Sequence, residues 1–230
     1  MIAVLVPTRG RPENLRSLMQ AFKDTLDPAK DAKLITCIDL DDPELENYKK
    51  VWIENNGDSL GVLEVGERLR LGGTLNHYAP KYAEKYEVIG FMGDDHRPRT
   101  KHWDLWINGY HSENKLAVTY GNDLLQGSRL ATAVFLDSRI IKTLGYMIFP
   151  GGVHLFLDNF WMSLGQGLGT LRYFNDIIIE HMHPVIGKAV MDDRYVEVNS
   201  PAVWSHDEAL YLDYMSNKMP QALELLRGVQ

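Results

Sequence analysis

Val88-Ile89-Gly90-Phe91-Met92-Gly93-Asp94-Asp95-His96-Arg97-Pro98 is the stretch on which the fold turns. Its first five residues are mostly apolar and read as a buried strand that runs directly into two carboxylates and a histidine. In an open α/β sheet, ligands gather outside the carboxyl ends of the strands, so this is where an active-site rim would lie. Hard oxygen ligands suit Mg²⁺ or Mn²⁺, and such an ion would neutralise a diphosphate. The same residues also read as an acidic turn after a core strand, with His96 and Arg97 solvated. An acidic pair alone does not separate the two readings.

Working outward from it, the preceding chain repeats the pattern of strand, loop and helix. Ala3 to Val6 form a first strand, broken by Pro7-Thr8-Arg9-Gly10-Arg11-Pro12. A helix follows with Leu15, Leu18, Met19 and Phe22 on one face, and Pro12 fits its first turn. Backbone N–H groups at that helix start, with Arg9 and Arg11, form a candidate phosphate cradle. Leu34 to Ile38 form a second strand ending in Asp39-Leu40-Asp41-Asp42-Pro43. Asp42 suits a helix N-cap, which leaves Asp39 and Asp41 as ligand candidates. Gly61 to Val65 read as a third strand. The next helix carries Leu75, Tyr78, Ala79, Tyr82 and Ala83 on its apolar face, with Thr74 as its cap. The glycine pair Gly72-Gly73 before it lets a ligand approach the backbone.

Beyond the acidic strand, Trp103 begins a helix whose tryptophans, Trp103 and Trp106, are expected to pack. Leu116 to Tyr120 and Ala131 to Leu136 read as strands, and Gly145 to Gly152 as a flexible flap. Leu157, Phe160, Trp161 and Leu164 form the buried face of a short helix with Asp158 at its start, where the helix dipole favours a carboxylate. Thr170 to Phe174 and Ile177 to His183 read as a hairpin around Asn175-Asp176. Period two places His181 and His183 on one face of its second arm, where they can converge on one ion. A final amphipathic helix is expected over about Glu208 to Leu226.

A chain of 230 residues with 45% hydrophobic content suits one α/β domain with a sizeable core. The strand–helix alternation runs without a linker to about residue 125. The net charge of −7 disfavours broad binding to nucleic-acid backbones or anionic membranes. The lone Cys37 lies in an apolar strand and reads as a buried thiol. No segment reads as a signal peptide or membrane span, so a cytoplasmic location is expected.

As an ordered set, several motifs resemble those of GT-A glycosyltransferases, close to the family 2 group, over about residues 1–195. They are Pro7-Thr8-Arg9-Gly10-Arg11-Pro12, Asp39, Leu71-Gly72-Gly73-Thr74-Leu75-Asn76, Gly93-Asp94-Asp95-His96, Asp158-Asn159 and Glu180-His181-Met182-His183-Pro184. The resemblance implies an α/β GT-A fold, a mixed Rossmann-like sheet flanked by helices, in a single domain with a nucleotide-sugar-binding half over about residues 1–125, an acceptor-binding half over about 126–200 and a C-terminal helix over about 205–230. It implies a nucleoside-diphosphate-sugar donor held by Pro7, Thr8, Arg9, Arg11, Asp39, Asp41, Gly73, Asn76 and Asp94. The family's Asp-x-Asp element falls on Asp94-Asp95, with Gly93 in the first acidic position if Asp95 takes the last. Reading Asp94-Asp95-His96 as Asp-x-His is the other alignment. Asp95 is then the ligand of Mn²⁺ or Mg²⁺, completed by His181 and His183, with Asp94 on the ribose or on an outer water.

Asp158 matches the acceptor-side general base of inverting members, and Arg9, Arg11 or Lys188 would add positive charge at the leaving group. The implied activity is hexosyl transfer to a protein, glycan, lipid or modified nucleic acid. A nucleotidyltransferase would carry a longer Gly-rich loop with a lysine after the first strand, unlike Pro7 to Pro12. A non-catalytic nucleotide or glycan binder would keep the pocket without an effective base. A structural protein would make the acidic strand ends accidental.

Overall fold

A computed structural model describes residues 1–29 and 32–229 of the chain. The first part alternates β1 (Ile2–Thr8), α1 (Pro12–Thr25), β2 (Ala32–Asp39), α2 (Leu45–Glu54), α3 (Gly57–Leu60), β3 (Gly61–Gly66), α4 (Arg70–Ala83) and β4 (Val88–Phe91). Then follow β5 (His96–Pro98), α5 (Trp103–Glu113), β6 (Val118–Asn122), β7 (Val134–Asp137), α6 (Ser138–Leu144) and α7 (Leu157–Leu168). The chain closes with β8 (Leu171–His181), α8 (Asp193–Val198), α9 (Pro201–Asn217) and α10 (Met219–Arg227).

Among the described residues the strands form one mixed sheet in the order β3-β2-β1-β4-β7-β6-β8-β5. β1 to β4 run parallel, and β7 pairs antiparallel with β4. β1 lies between β2 and β4, so the chain reverses its direction of winding there, and a crevice opens at the carboxyl ends. The central strands β1, β2 and β4 are buried on both faces. Ile2, Val4 and Val6 pack with α1, α2 and α5, while Ala3 and Leu5 pack with α4, α6, α7 and the C-terminal helices. Each buried Leu, Val or Phe of these layers contributes about 1.5–3 kcal/mol, which makes the strand ends rigid supports.

Several expectations need correction. Residues 171–181 form no hairpin: β8 pairs parallel with β6 and then antiparallel with β5, absorbing Asn175-Asp176 at a register shift. The terminal helix is two helices broken at Lys218, because Pro220 supplies no N–H to continue the first. Thr74 lies inside α4 rather than at its cap. Residues 145–152 are no flap, since Met147, Ile148 and Phe149 are buried in the core. Gly72 is required at their contact with α4: a Cβ there would lie 2.0 Å from Gly152 O. Trp103 packs on Phe22 and Phe135 as expected, but Trp106 is 66% exposed.

Candidate active site

Thr8, Asp39 and Asp94 arrive at the crevice from the ends of β1, β2 and β4, and each is held by a neighbour. Thr8 Oγ1 donates to Asp94 Oδ2 at 2.6 Å, and Asn14 Nδ2 donates to Oδ1 at 3.2 Å. Burial, followed by the charge of Asp95, pushes the Asp94 carboxyl up to about 6. Tyr48 ties the same corner together, with its hydroxyl 2.8 Å from Thr8 Oγ1 and accepting from Arg11 N–H. Asp39 accepts from Arg9 Nη1 at 3.0 Å, and the same guanidinium donates to Asp41 at 2.6 Å. Asp42 accepts from the N–H groups of Gly10 and Glu44, so it braces the first loop as well as the start of the helical segment.

Asp95 meets two imidazoles. His96 and His181 are register partners in the β5–β8 pair, and their rings stack at 4.3 Å. Asp95 Oδ1 lies 3.4 Å from His96 Nδ1, and its Oδ2 lies 3.4 Å from His181 Nε2. Burial raises the Asp95 carboxyl, but the imidazoles of His181 and His96 outweigh this and hold it well below the usual range. Burial lowers His181, and Asp95 more than offsets it; His96 is lowered by burial and by His181.

The ligand atoms of Asp95, His96 and His181 all lie within 4.8 Å of one another. His96 Nε2 and His181 Nδ1 are buried without hydrogen-bond partners. Two imidazoles and a carboxylate are a donor set that fits a divalent transition ion, with Mn²⁺ suited better than Mg²⁺.

His183 is engaged otherwise. Its Nδ1 accepts from Val185 N–H at 3.2 Å, and its Nε2 lies 3.3 Å from the Tyr195 hydroxyl. The group of ligand atoms within 4.8 Å of one another includes His96 and not His183; His96, whose Nδ1 also accepts from Gly93 N–H at 3.0 Å, belongs to a three-residue strand too short to show a period in the sequence.

The opposite wall comes from later in the chain. Asp158 opens α7, and burial pushes its carboxyl up to about 7, only partly countered by His181. The loop before it is fastened to α9, where the fully buried Asp207 accepts from the N–H groups of Val153, His154 and Leu155. Asn76 grips the same region, accepting from Met147 and Ile148 N–H at 2.9 Å and donating to Ile148 O.

A cavity of about 530 Å³ separates the two walls. Pro7, Thr8, Arg9, Arg11, Asp39, Asp94 and Asp95 line one side, and Phe156, Asp158, Asn159 and Trp204 the other, with His96, His181 and His183 also in the lining. Gly73, Asn76 and Asp41 are not among the lining residues: Asn76 spends its amide on residues 147–148, and Asp41 turns to Arg9. Sequence reasoning missed Arg70, Tyr195 and Trp204, which line the cavity, and Asp192, whose carboxylate forms a two-pronged ion pair with Arg11 at 2.6 and 2.7 Å. Asp192 caps the short α8 and Ser200 the long α9, with Pro201 following Ser200; this is the local signal by which that region could have been found.

No protein-family model matches the sequence, and no curated protein does. Solved structures do match. The mannosyltransferase PcManGT from Pyrobaculum calidifontis, in complex with GDP-Man and Mn²⁺, has a TM-score of 0.58 over 99% of this chain and 73% of its own. The chain has a GT-A fold. S. aureus TarS in complex with UDP-GlcNAc gives 0.56 over 93% of this chain and 71% of its own. Identities are 12% and 11%, so the likeness is one of fold. Within the GT-A frame, the carboxyl ends of β1, β2 and β4 are the edge on which the first wall of the cavity stands. Among the described residues, no helix is long and apolar enough to cross a membrane.

Proposed function

We propose that the chain transfers a sugar from a nucleoside diphosphate sugar to an acceptor hydroxyl, with inversion at the anomeric carbon. One observation carries the reading: the Asp95–His96–His181 cluster and the raised carboxyl of Asp158 line the same cavity. A divalent ion held by Asp95, His96 and His181 would act there as a Lewis acid on the leaving diphosphate.

The chain's own residues do the rest. The first loop and Asp39 hold the nucleotide, in the half comprising residues 1–125. Arg11 exchanges the Asp192 carboxylate for donor phosphate oxygens, one bidentate anion for another. Asp158, titrating near neutrality, accepts the proton of the acceptor hydroxyl. The new bond from that oxygen to the anomeric carbon forms as the bond to the diphosphate oxygen breaks, and the nucleoside diphosphate departs. A single base and a direct displacement invert the centre.

Calorimetric titration with UDP, GDP, CDP and dTDP, in Mn²⁺, in Mg²⁺ and in EDTA, tests this. Binding of one nucleotide, stronger with Mn²⁺ and lost with the ion in Asp95→Ala, is the expected result. Absence of binding to all four with either ion removes the donor site and the proposal with it.

A further inference from the structure

The wall beside Asp158 is built around an aromatic side chain to which the proposed chemistry assigns no task. Trp204, Asp207 and Tyr211 fall on one face of α9, three and four residues apart. Asp207 fixes the loop through three backbone N–H groups, and Phe156 follows that loop at φ 62, in the left-handed region. A bulky residue holds that conformation only where its surroundings determine it. Here they do: the Phe156 ring stacks on Tyr211 at 5.5 Å and 18°, and Trp204 meets Phe156 edge-on at 5.2 Å. Trp204 is nevertheless 49% exposed, and it lines the cavity together with Phe156, Asp158 and Asn159. An indole braced from behind and open in front is a preformed flat surface next to the proposed base.

The charges around it narrow the ligand. The cationic lining residues already face carboxylates: Arg9 meets Asp41 at 2.6 Å, Arg11 meets Asp192 at 2.6 Å, and Arg70 meets Glu197 at 3.7 Å. With Arg9 and Arg11 on the opposite wall and a chain charge of −7, the wall beside Asp158 is ill suited to a phosphodiester backbone. A pyranose has an apolar C–H face to lie on an indole and a rim of hydroxyls for Asp158 and Asn159, the combination of apolar surface and few polar groups by which pockets orient ligands.

We infer that Trp204 is the acceptor platform and that the acceptor is a sugar ring, stacked on the indole with one hydroxyl turned to Asp158. The inference rests on the glycosyl-transfer reading and adds the substrate class to it.

The test has two arms. Nucleotide binding by calorimetry, with Mn²⁺, is measured on the wild type, Trp204→Ala, Trp204→Tyr and Trp106→Ala, the last altering an exposed tryptophan outside the cavity lining. With the nucleotide bound, saturation-transfer NMR follows methyl glucoside, methyl mannoside and methyl N-acetylglucosaminide, and p-nitrophenyl glycosides serve as acceptors with the matching nucleotide sugar. At least one glycoside is expected to bind and accept. Trp204→Ala should raise its KM about tenfold or more, and Trp204→Tyr should recover most of that. Nucleotide affinity should stay within about twofold in all the variants, which also shows that they fold. Intact nucleotide binding with no glycoside bound, or an acceptor KM that Trp204→Ala leaves unchanged, overturns the inference alone. Loss of nucleotide binding in the wild type overturns the transferase reading and this inference with it.

Discussion

Thr8, Asp39 and Asp95 reach the cavity from the ends of neighbouring strands, whereas Phe156, Asp158 and Trp204 reach it from a loop, a helix start and a helix near the end of the chain. The first set stands on β1, β2 and β4, whose parallel register is held by core packing on both faces of the sheet. The second depends on a few long-range polar clasps. Asp207 holds residues 153–155, and Asn76 holds residues 147 and 148. A strand-end wall is therefore rigid by virtue of the sheet. The opposite wall is rigid only while its buried carboxylate and amide are satisfied.

The strongest test of that contrast is on the strand-end wall. Asp95→Ala should abolish ion-dependent nucleotide binding and lower kcat/KM by roughly 10³-fold, because the charge that gathers His96 and His181 is gone. On the opposite wall, Asp158→Asn should lower kcat by about 10²–10³-fold while leaving nucleotide affinity intact. A variant that lost both together would show that the two walls are not separate in function.

The pH dependence follows from the same side chain. The free enzyme's kcat/KM should rise with pH to a plateau above about 7, where Asp158 loses its proton. Because the folded pKa is raised, the folded state binds this proton more tightly than the unfolded chain does. The Asp158 contribution to stability should therefore decline as pH climbs from the ordinary carboxyl range to about 7, then level off. Urea melts of wild type and Asp158→Asn across that range should diverge, with the amide variant the more stable at high pH.

Asn76 sharpens the comparison differently. Asn76→Ala strands two buried N–H groups and should cost roughly 2–4 kcal/mol in a denaturant titration. Nucleotide affinity of the folded variant should not change, and a selective loss of affinity would return Asn76 to the donor site. The smallest effect expected is at Asp192. Asp192→Asn removes the anion competing for Arg11 and should tighten nucleotide binding about two- to threefold at low salt, an advantage that salt erases.

The strand-end wall was largely legible in the sequence because its signals are local. Apolar runs of four to eight residues ending in Thr8, Asp39 and Asp94-Asp95 name both the strands and what they carry. Asp158 was legible as the acid opening an apolar helix. His183 was paired with His181 by period two, yet the cluster contains His96. The Asp-x-His alignment keeps His96 open, but only β8 leaving β6 to pair with β5 sets it opposite His181. Trp204 was missed because the terminal helix was expected only from about Glu208, although a serine N-cap with proline in the first turn begins it at Pro201.

By itself the sequence determined the doubly covered parallel strands, the acids at their ends and the helix that begins at Asp158, because backbone periodicity and burial act within a few residues. Tertiary structure alone decided which histidine stands opposite Asp95 and which aromatic faces the cavity. The register of β5 against β8 and the docking of α9 are set by contacts between residues 50 or more positions apart, such as His96 with His181 and Asp207 with Val153. Their geometry exists only once the chain has closed on itself.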